Sequence, residues 1–220
     1  MPSPHLPLPS DWTLALASLA GLALLTAALS ASWKAILAAP WRVHLLFGAA
    51  LLLGALRLAS FRLGASPEVH LLGVTVASLL LGPRFALLVA SAVEIVWLLV
   101  AGVPWLEASA VTALEVLLPV TIIWALFSLL LRHGPRNHFA FTLLGGFAGG
   151  ATTMAAVCLV ESALIRAQGG QAVSFEVVAL LSYAEGFVSG ALLAVLAVYF
   201  PHWLKAYDDR HFEPPASTPP

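Results

Sequence analysis

At 220 residues, 60% hydrophobic and only 10% charged, with a mean hydropathy of +0.95, the chain has too little polar surface for a water-facing globule and reads as an all-α, polytopic membrane protein. A formal net charge of -1 and a pI near 6.6 leave no basic patch to neutralise phosphates, which excludes a nucleic-acid partner. The single cysteine, Cys158, excludes an internal disulfide or a cysteine metal cluster, and no G-x-x-x-x-G-K-[ST] stretch is present for ATP hydrolysis through a P-loop.

The opening MPSPHLPLPSDW carries Asp11 but no Lys or Arg ahead of the apolar run, so it does not read as a secretory signal. The expected organisation is an extracytoplasmic segment over residues 1–11, a transmembrane helical domain over 12–204 and a polar, Pro-rich cytoplasmic tail over 205–220. A first span runs from Trp12 to about Leu29, with Trp12 and Trp33 as interfacial anchors, and a second from Val43 to about Leu58. Gly64 and Pro67 break the following loop. The apolar segment His70 to Leu81 is only about 18 Å long as a helix, against about 30 Å of hydrocarbon. It must borrow residues from its flanks or be buried in protein as a re-entrant piece.

Leu81-Gly82-Pro83-Arg84 turns the chain into the span Phe85 to Val103. The next, Ser109 to Leu131, is expected to kink at Pro119, which lacks an N–H and crowds the preceding turn. Phe139 to Ile165 carries Gly145, Gly146, Gly149 and Gly150, two overlapping G-x-x-x-G pairs suited to close helix packing. Val177 to Phe200 is the last span.

Counting the His70 segment gives a seven-helix bundle. With the N-terminus outside, Lys34, Arg42, Arg84, Arg132, Arg136, Lys205 and Arg210 fall inside, and only Arg57, Arg62 and Arg166 outside. That asymmetry predicts N-out and C-in.

Four carboxylates then fall within spans: Glu94 and Glu185 at mid-depth, Glu115 and Glu161 nearer the outer ends. No Lys or Arg is expected deep in a helix to pair with them, so protons, hydrogen bonds or a bound cation must neutralise them. Thr112, Thr152 and Ser189 are the hydroxyl partners in prospect. His70 and Glu68 stand at the outer mouth and His5 in the N-terminal segment, whereas His44, His133, His138, His202 and His211 read as interfacial or tail residues. Carboxylate and imidazole together suit cobalt, nickel, zinc or manganese, although no compact motif such as H-E-x-x-H is present.

The stretch HLLGVTVASLLLGPRFALLV resembles the CbiM/NikM-type membrane substrate-capture (permease) subunits of cobalt and nickel energy-coupling-factor transporters, in which a histidine opens an HLLGG-like helix followed by an L-L-G-P turn. Ala184-Glu185-Gly186, Ser189-Gly190 and Phe200-Pro201 fall where that family has a G-E-G/A-x-x-T/S-G pattern and a terminal Arg-Pro. The similarity runs from about residue 65 to 204, and the tail HWLKAYDDRHF is similar to an uncharacterised proteobacterial branch of the family. The departure is at the start. Metal-binding members begin M-H-I-x-D-G, whereas this chain begins Met1-Pro2-Ser3-Pro4-His5, and the family's Asn after the outer loop is missing from EASAVTALEVLLP.

The resemblance implies a bacterial inner-membrane permease component, not an enzyme, that captures a transition-metal cation as cargo and holds no permanent cofactor. Its partners would be membrane lipid, a transmembrane coupling subunit and ATPase subunits. Only His70 carries over as a metal ligand; His5 and Glu68 are further candidates, with Glu94, Glu115, Glu161 and Glu185 as intramembrane polar candidates. The altered N-terminus favours the alternative, a membrane accessory or assembly factor for a metalloenzyme. An intramembrane hydrolase is disfavoured, because no Ser-His or paired-Asp set falls at matched depth.

Overall fold

A computed structural model of the chain describes residues 8–62, 68–135 and 137–206, with the side chains at 61, 62, 68 and 69 outside the description. Its architecture is all-helical: α1 (Ser10–Ser30), a short α2 (Trp33–Leu37), α3 (Pro40–Leu58), a short α4 (Val74–Leu81), α5 (Pro83–Val100), α6 (Trp105–His133), α7 (His138–Ala167) and α8 (Phe175–Tyr199). Between α3 and α4 two antiparallel two-residue strands, β1 (Phe61–Arg62) and β2 (Glu68–Val69), pair Phe61 with Val69 and Arg62 with Glu68.

Six of these helices are long and apolar enough to cross a membrane: α1, α3, α5, α6, α7 and α8. The seven-helix expectation is met only to that extent, because α4, at 8 residues, spans about 12 Å and is not a seventh full helix. A membrane setting accounts for the outer surface. On α1 only Thr13, Ala20 and Ala27 are buried, one residue every second turn, and Leu14, Leu19, Leu22, Leu25 and Leu29 all point outward. Water would penalise so continuous an apolar face, but lipid does not.

Local chemistry sets the breaks. Gly82 holds φ +82°, the left-handed region that a side chain resists, and Pro83 starts α5 with its ring-fixed φ. Pro119 does not stop α6. The lost N–H is absorbed by a wide π-helical turn over Ala113–Leu117, and the helix runs on to His133. A second such stretch, Phe141–Ala148, lies where α7 meets α8.

The glycines of α7 work as a packing surface together with glycines of α8. A Cβ on Gly146 would stand 2.9 Å from Gly190 Cα, and one on Gly186 would stand 2.7 Å from the Phe147 carbonyl oxygen. The two backbones therefore touch directly, as small residues at four-residue spacing permit.

The short helix α4 is buried along nearly its whole length, from Val74 to Leu79. Its C-terminal carbonyls are satisfied from far away: Lys205 N–H donates to Leu80 O and Ala206 N–H to Leu79 O, each at 3.0 Å. The beginning of the expected tail thus docks against α4, while residues 207–220 lie outside the described residues. At the same end of the bundle, Arg84 Nη1 donates to Ser30 O at 2.8 Å and ties the start of α5 to the end of α1.

Candidate functional site

At the opposite end of α4 the polar residues gather. Arg57, in the last turn of α3, is buried on the face that carries Ala49 and Leu53, at successive four-residue steps. Its Nη2 lies 2.5 Å from Glu94 Oε1 on α5, and its Nη1 lies 3.0 Å from Glu115 Oε2 on α6. Three helices are therefore joined through one planar guanidinium, whose two ends engage separate carboxylates. The third nitrogen, Nε, is buried and has no partner among the described residues.

This overturns the expectation that no basic residue reaches the intramembrane acids. Arg57 is close to the end of its helix, but the helix packs so that the guanidinium turns inward rather than toward the interface. Glu94 lies six residues before the end of α5, about 9 Å along the axis, where Arg57 joins it to Glu115.

His70 joins the cluster through Glu115. Its Nε2 lies 3.1 Å from Glu115 Oε2 and its Nδ1 lies 3.0 Å from the Leu71 carbonyl oxygen. Glu115 is placed there by the wide turn ahead of Pro119, so the proline shapes the site as well as the helix. Glu94 and Glu115 meet at the two ends of the same guanidinium. Glu161 of α7 is half-buried and interacts electrostatically with Glu115 and Arg57, but makes no hydrogen bond or ion pair of its own among the described residues.

A partly open void of about 20 Å³ lies at the centre, lined by Arg57, His70, Leu72, Glu94 and Glu115. That volume is room for about one water molecule or a bare ion.

Glu185 is elsewhere and does something different. Its carboxylate accepts the Leu72 N–H and the Gly73 N–H, both at 2.9 Å, at the mouth of α4. Gly73 is left-handed, with φ +63°, which swings the two consecutive N–H groups toward α8. Ser189 Oγ, the hydroxyl partner expected from the sequence, adds a longer contact of 3.4 Å. A helix N-terminus buried in protein leaves its first N–H groups unsatisfied, and Glu185 supplies their acceptor. Together with residues 205 and 206 at the other end, α8 and its continuation clamp α4 at both termini.

The other hydroxyls in prospect do not reach the acids. Thr112 donates to Ala108 O, and Thr152 is exposed. Thr153, one residue on, lies 3.1 Å from Thr75 and ties α4 to α7.

Of the metal-ligand candidates, His70 sits in the cluster, His5 lies outside the described residues, and Glu68 is on β2 with its side chain outside the description. Among the described residues no group of three or more His, Cys, Asp or Glu side chains is preset to hold a metal ion. The Arg57 guanidinium engages one oxygen of Glu94 and one of Glu115. Comparison with protein-family models, curated proteins and solved structures finds no match to the chain.

Proposed function

We propose that the chain is the substrate-capture subunit of a transition-metal uptake system of the bacterial inner membrane, working with a separate coupling subunit and ATPases. The observation that carries this reading is the acidic excess around an ion-sized void. Two carboxylates, Glu94 and Glu115, flank one guanidinium beside a space of about 20 Å³, and Glu161 stands within electrostatic reach of Glu115 and Arg57. Such a site carries more negative than positive charge and has room for a bare cation.

Arg57 is the resident counter-ion of the empty state in this reading, and cargo entry exchanges guanidinium for metal at Glu94 and Glu115. His70 then turns Nε2 from Glu115 to the metal, with Glu68 and His5 as further candidate ligands. The chain from His70 to Leu81 crosses the bundle as irregular backbone followed by α4, giving seven passages with the N-terminus outside and the C-terminus inside. Irregular backbone is tolerated at membrane depth when protein surrounds it, as it does here.

Titration of the purified protein with nickel, cobalt, zinc and copper tests the cargo. At least one should bind at micromolar affinity or tighter, and His70→Ala and Glu115→Gln should each weaken it tenfold or more. Binding weaker than micromolar for all four, or unchanged in both variants, removes the metal reading. For orientation, single cysteines at positions 5 and 210, in a Cys158→Ser background, should be labelled from the periplasm and the cytoplasm respectively; the reverse pattern overturns it.

One observation favours a second reading, a membrane accessory factor without transport of its own: both ring nitrogens of His70 are already engaged. Under that reading the cluster is a fixed brace among α3, α5 and α6, and metal leaves the stability of the protein unchanged.

A further inference from the structure

At the Gly82 end of the bundle lies a cleft of about 500 Å³ that the proposed cargo site does not use. Three cationic side chains line it, Arg42 from α3, Arg84 from α5 and Lys205 beyond α8, with Trp41, Trp203 and His202 among them. No acidic side chain is among its described lining residues. Arg42 spends one nitrogen on the Ala35 carbonyl oxygen and lies 5.1 Å from the Trp41 ring centre, and Arg84 spends one on Ser30 O, so both keep further N–H donors. Lys205 crosses Gly82, its Cγ 3.3 Å from where a Cβ would be. Cations and tryptophans at the end of a transmembrane bundle are the chemistry that meets lipid headgroups.

A second feature specifies the ligand more narrowly. A groove of about 500 Å³ runs between α1, α5 and α6, lined by Ala23, Ala27, Leu87, Leu117 and Val120, and it shares Pro83, Arg84 and Trp124 with the cleft. Cationic cleft and apolar groove are thus continuous through Arg84. A free anion would have no use for the groove, and a neutral lipid would leave the cations unmatched.

We propose that this pair of cavities binds one anionic phospholipid, with its phosphate among Arg42, Arg84 and Lys205 and an acyl chain in the groove between α1 and α6. The bound lipid bridges α1, α3 and α5 at the end where the α4–α5 turn and the chain after α8 also meet, so its occupancy sets how firmly that end is closed. The site is independent of the metal reading, since it rests on residues at the other end of α4.

The test uses the full chain in phosphatidylcholine nanodiscs doped with phosphatidylglycerol, with co-purified lipid measured by mass spectrometry. Wild type should enrich phosphatidylglycerol about tenfold over its bulk fraction. Arg42→Gln with Lys205→Gln should abolish that enrichment, since about fivefold per charge removed, the equivalent of about 1 kcal/mol each, exceeds tenfold over two charges. Thr121→Trp, which narrows the groove while all three cations remain in the chain, should lower phosphatidylglycerol retention while the protein stays monodisperse. Millimolar inorganic phosphate should not displace the lipid. Equal retention of phosphatidylglycerol and phosphatidylcholine, full retention in the charge variants, or displacement by phosphate would each overturn the proposal. If the double charge variant does not fold, Lys205→Gln alone and Thr121→Trp decide the matter by the same measurement.

Discussion

Glu185→Ala is expected to lower the unfolding midpoint by about 10 °C, because two backbone N–H groups, of Leu72 and Gly73, lose their acceptor inside the bundle. Each buried donor left unsatisfied costs about 1–3 kcal/mol, and in a chain of this size each kcal/mol moves the midpoint by about 2–4 °C. Water cannot repair the loss cheaply, since Glu185 is almost wholly buried at 1% exposure. Glu185→Gln keeps one acceptor oxygen but turns an amide N–H toward a backbone N–H, so its cost should fall between wild type and alanine. Ser189→Ala removes only the 3.4 Å contact and should shift the midpoint little. A Glu185→Ala midpoint within about 2 °C of wild type would mean that α4 does not need this acceptor. The same variant should leave metal affinity far less altered than His70→Ala, because Glu185 does not line the void between Arg57 and His70.

That role is half visible in the sequence. The length of His70 to Leu81 already requires either borrowed residues or burial in protein, and burial is what α4 shows. Gly82-Pro83 marks its end correctly, because a left-handed glycine followed by a ring-locked proline leaves the chain few alternatives. What the sequence does not show is the acceptor, since Glu185 caps a helix 112 and 113 positions earlier in the chain and no local pattern encodes that pairing. Arg57 is the opposite case. Its register with Ala49 and Leu53 is readable, and it places the guanidinium on the buried stripe of α3. Counted only as a charge near a helix end, it falls to the interface instead. Long basic side chains at helix ends usually snorkel outward, and this one turns inward because two carboxylates on neighbouring helices offer more than headgroup water does. Pro119 reads as a kink, but its consequence reaches further: the wide turn it entails sets the direction of Glu115.

Replacing that inward-turned arginine gives the most informative result. Arg57→Met should destabilise the protein by about 3–5 kcal/mol, since it leaves Glu94 and Glu115 facing each other without a counter-charge. Neutralising the partners as well, in Arg57→Met with Glu94→Gln and Glu115→Gln, should bring stability back to within about 1 kcal/mol of wild type, because a buried ion cluster is costly to break but contributes little net stability when intact. If the triple variant is as unstable as the single one, the guanidinium is held for its packing and not for its charge. Arg57→Lys should recover only part of the loss, because one ammonium cannot present the two separated nitrogens that reach α5 and α6 together. The single variant also separates the two readings of the cluster. A cargo site emptied of its resident cation accepts an external one more readily, so Arg57→Met should gain thermal stability on addition of the metal that wild type binds. It should do so by more than wild type does, by the mass-action relation between ligand concentration and folding free energy. A static brace predicts no such recovery with any divalent metal, and calorimetric or fluorescence-detected melting with and without chelator distinguishes the two.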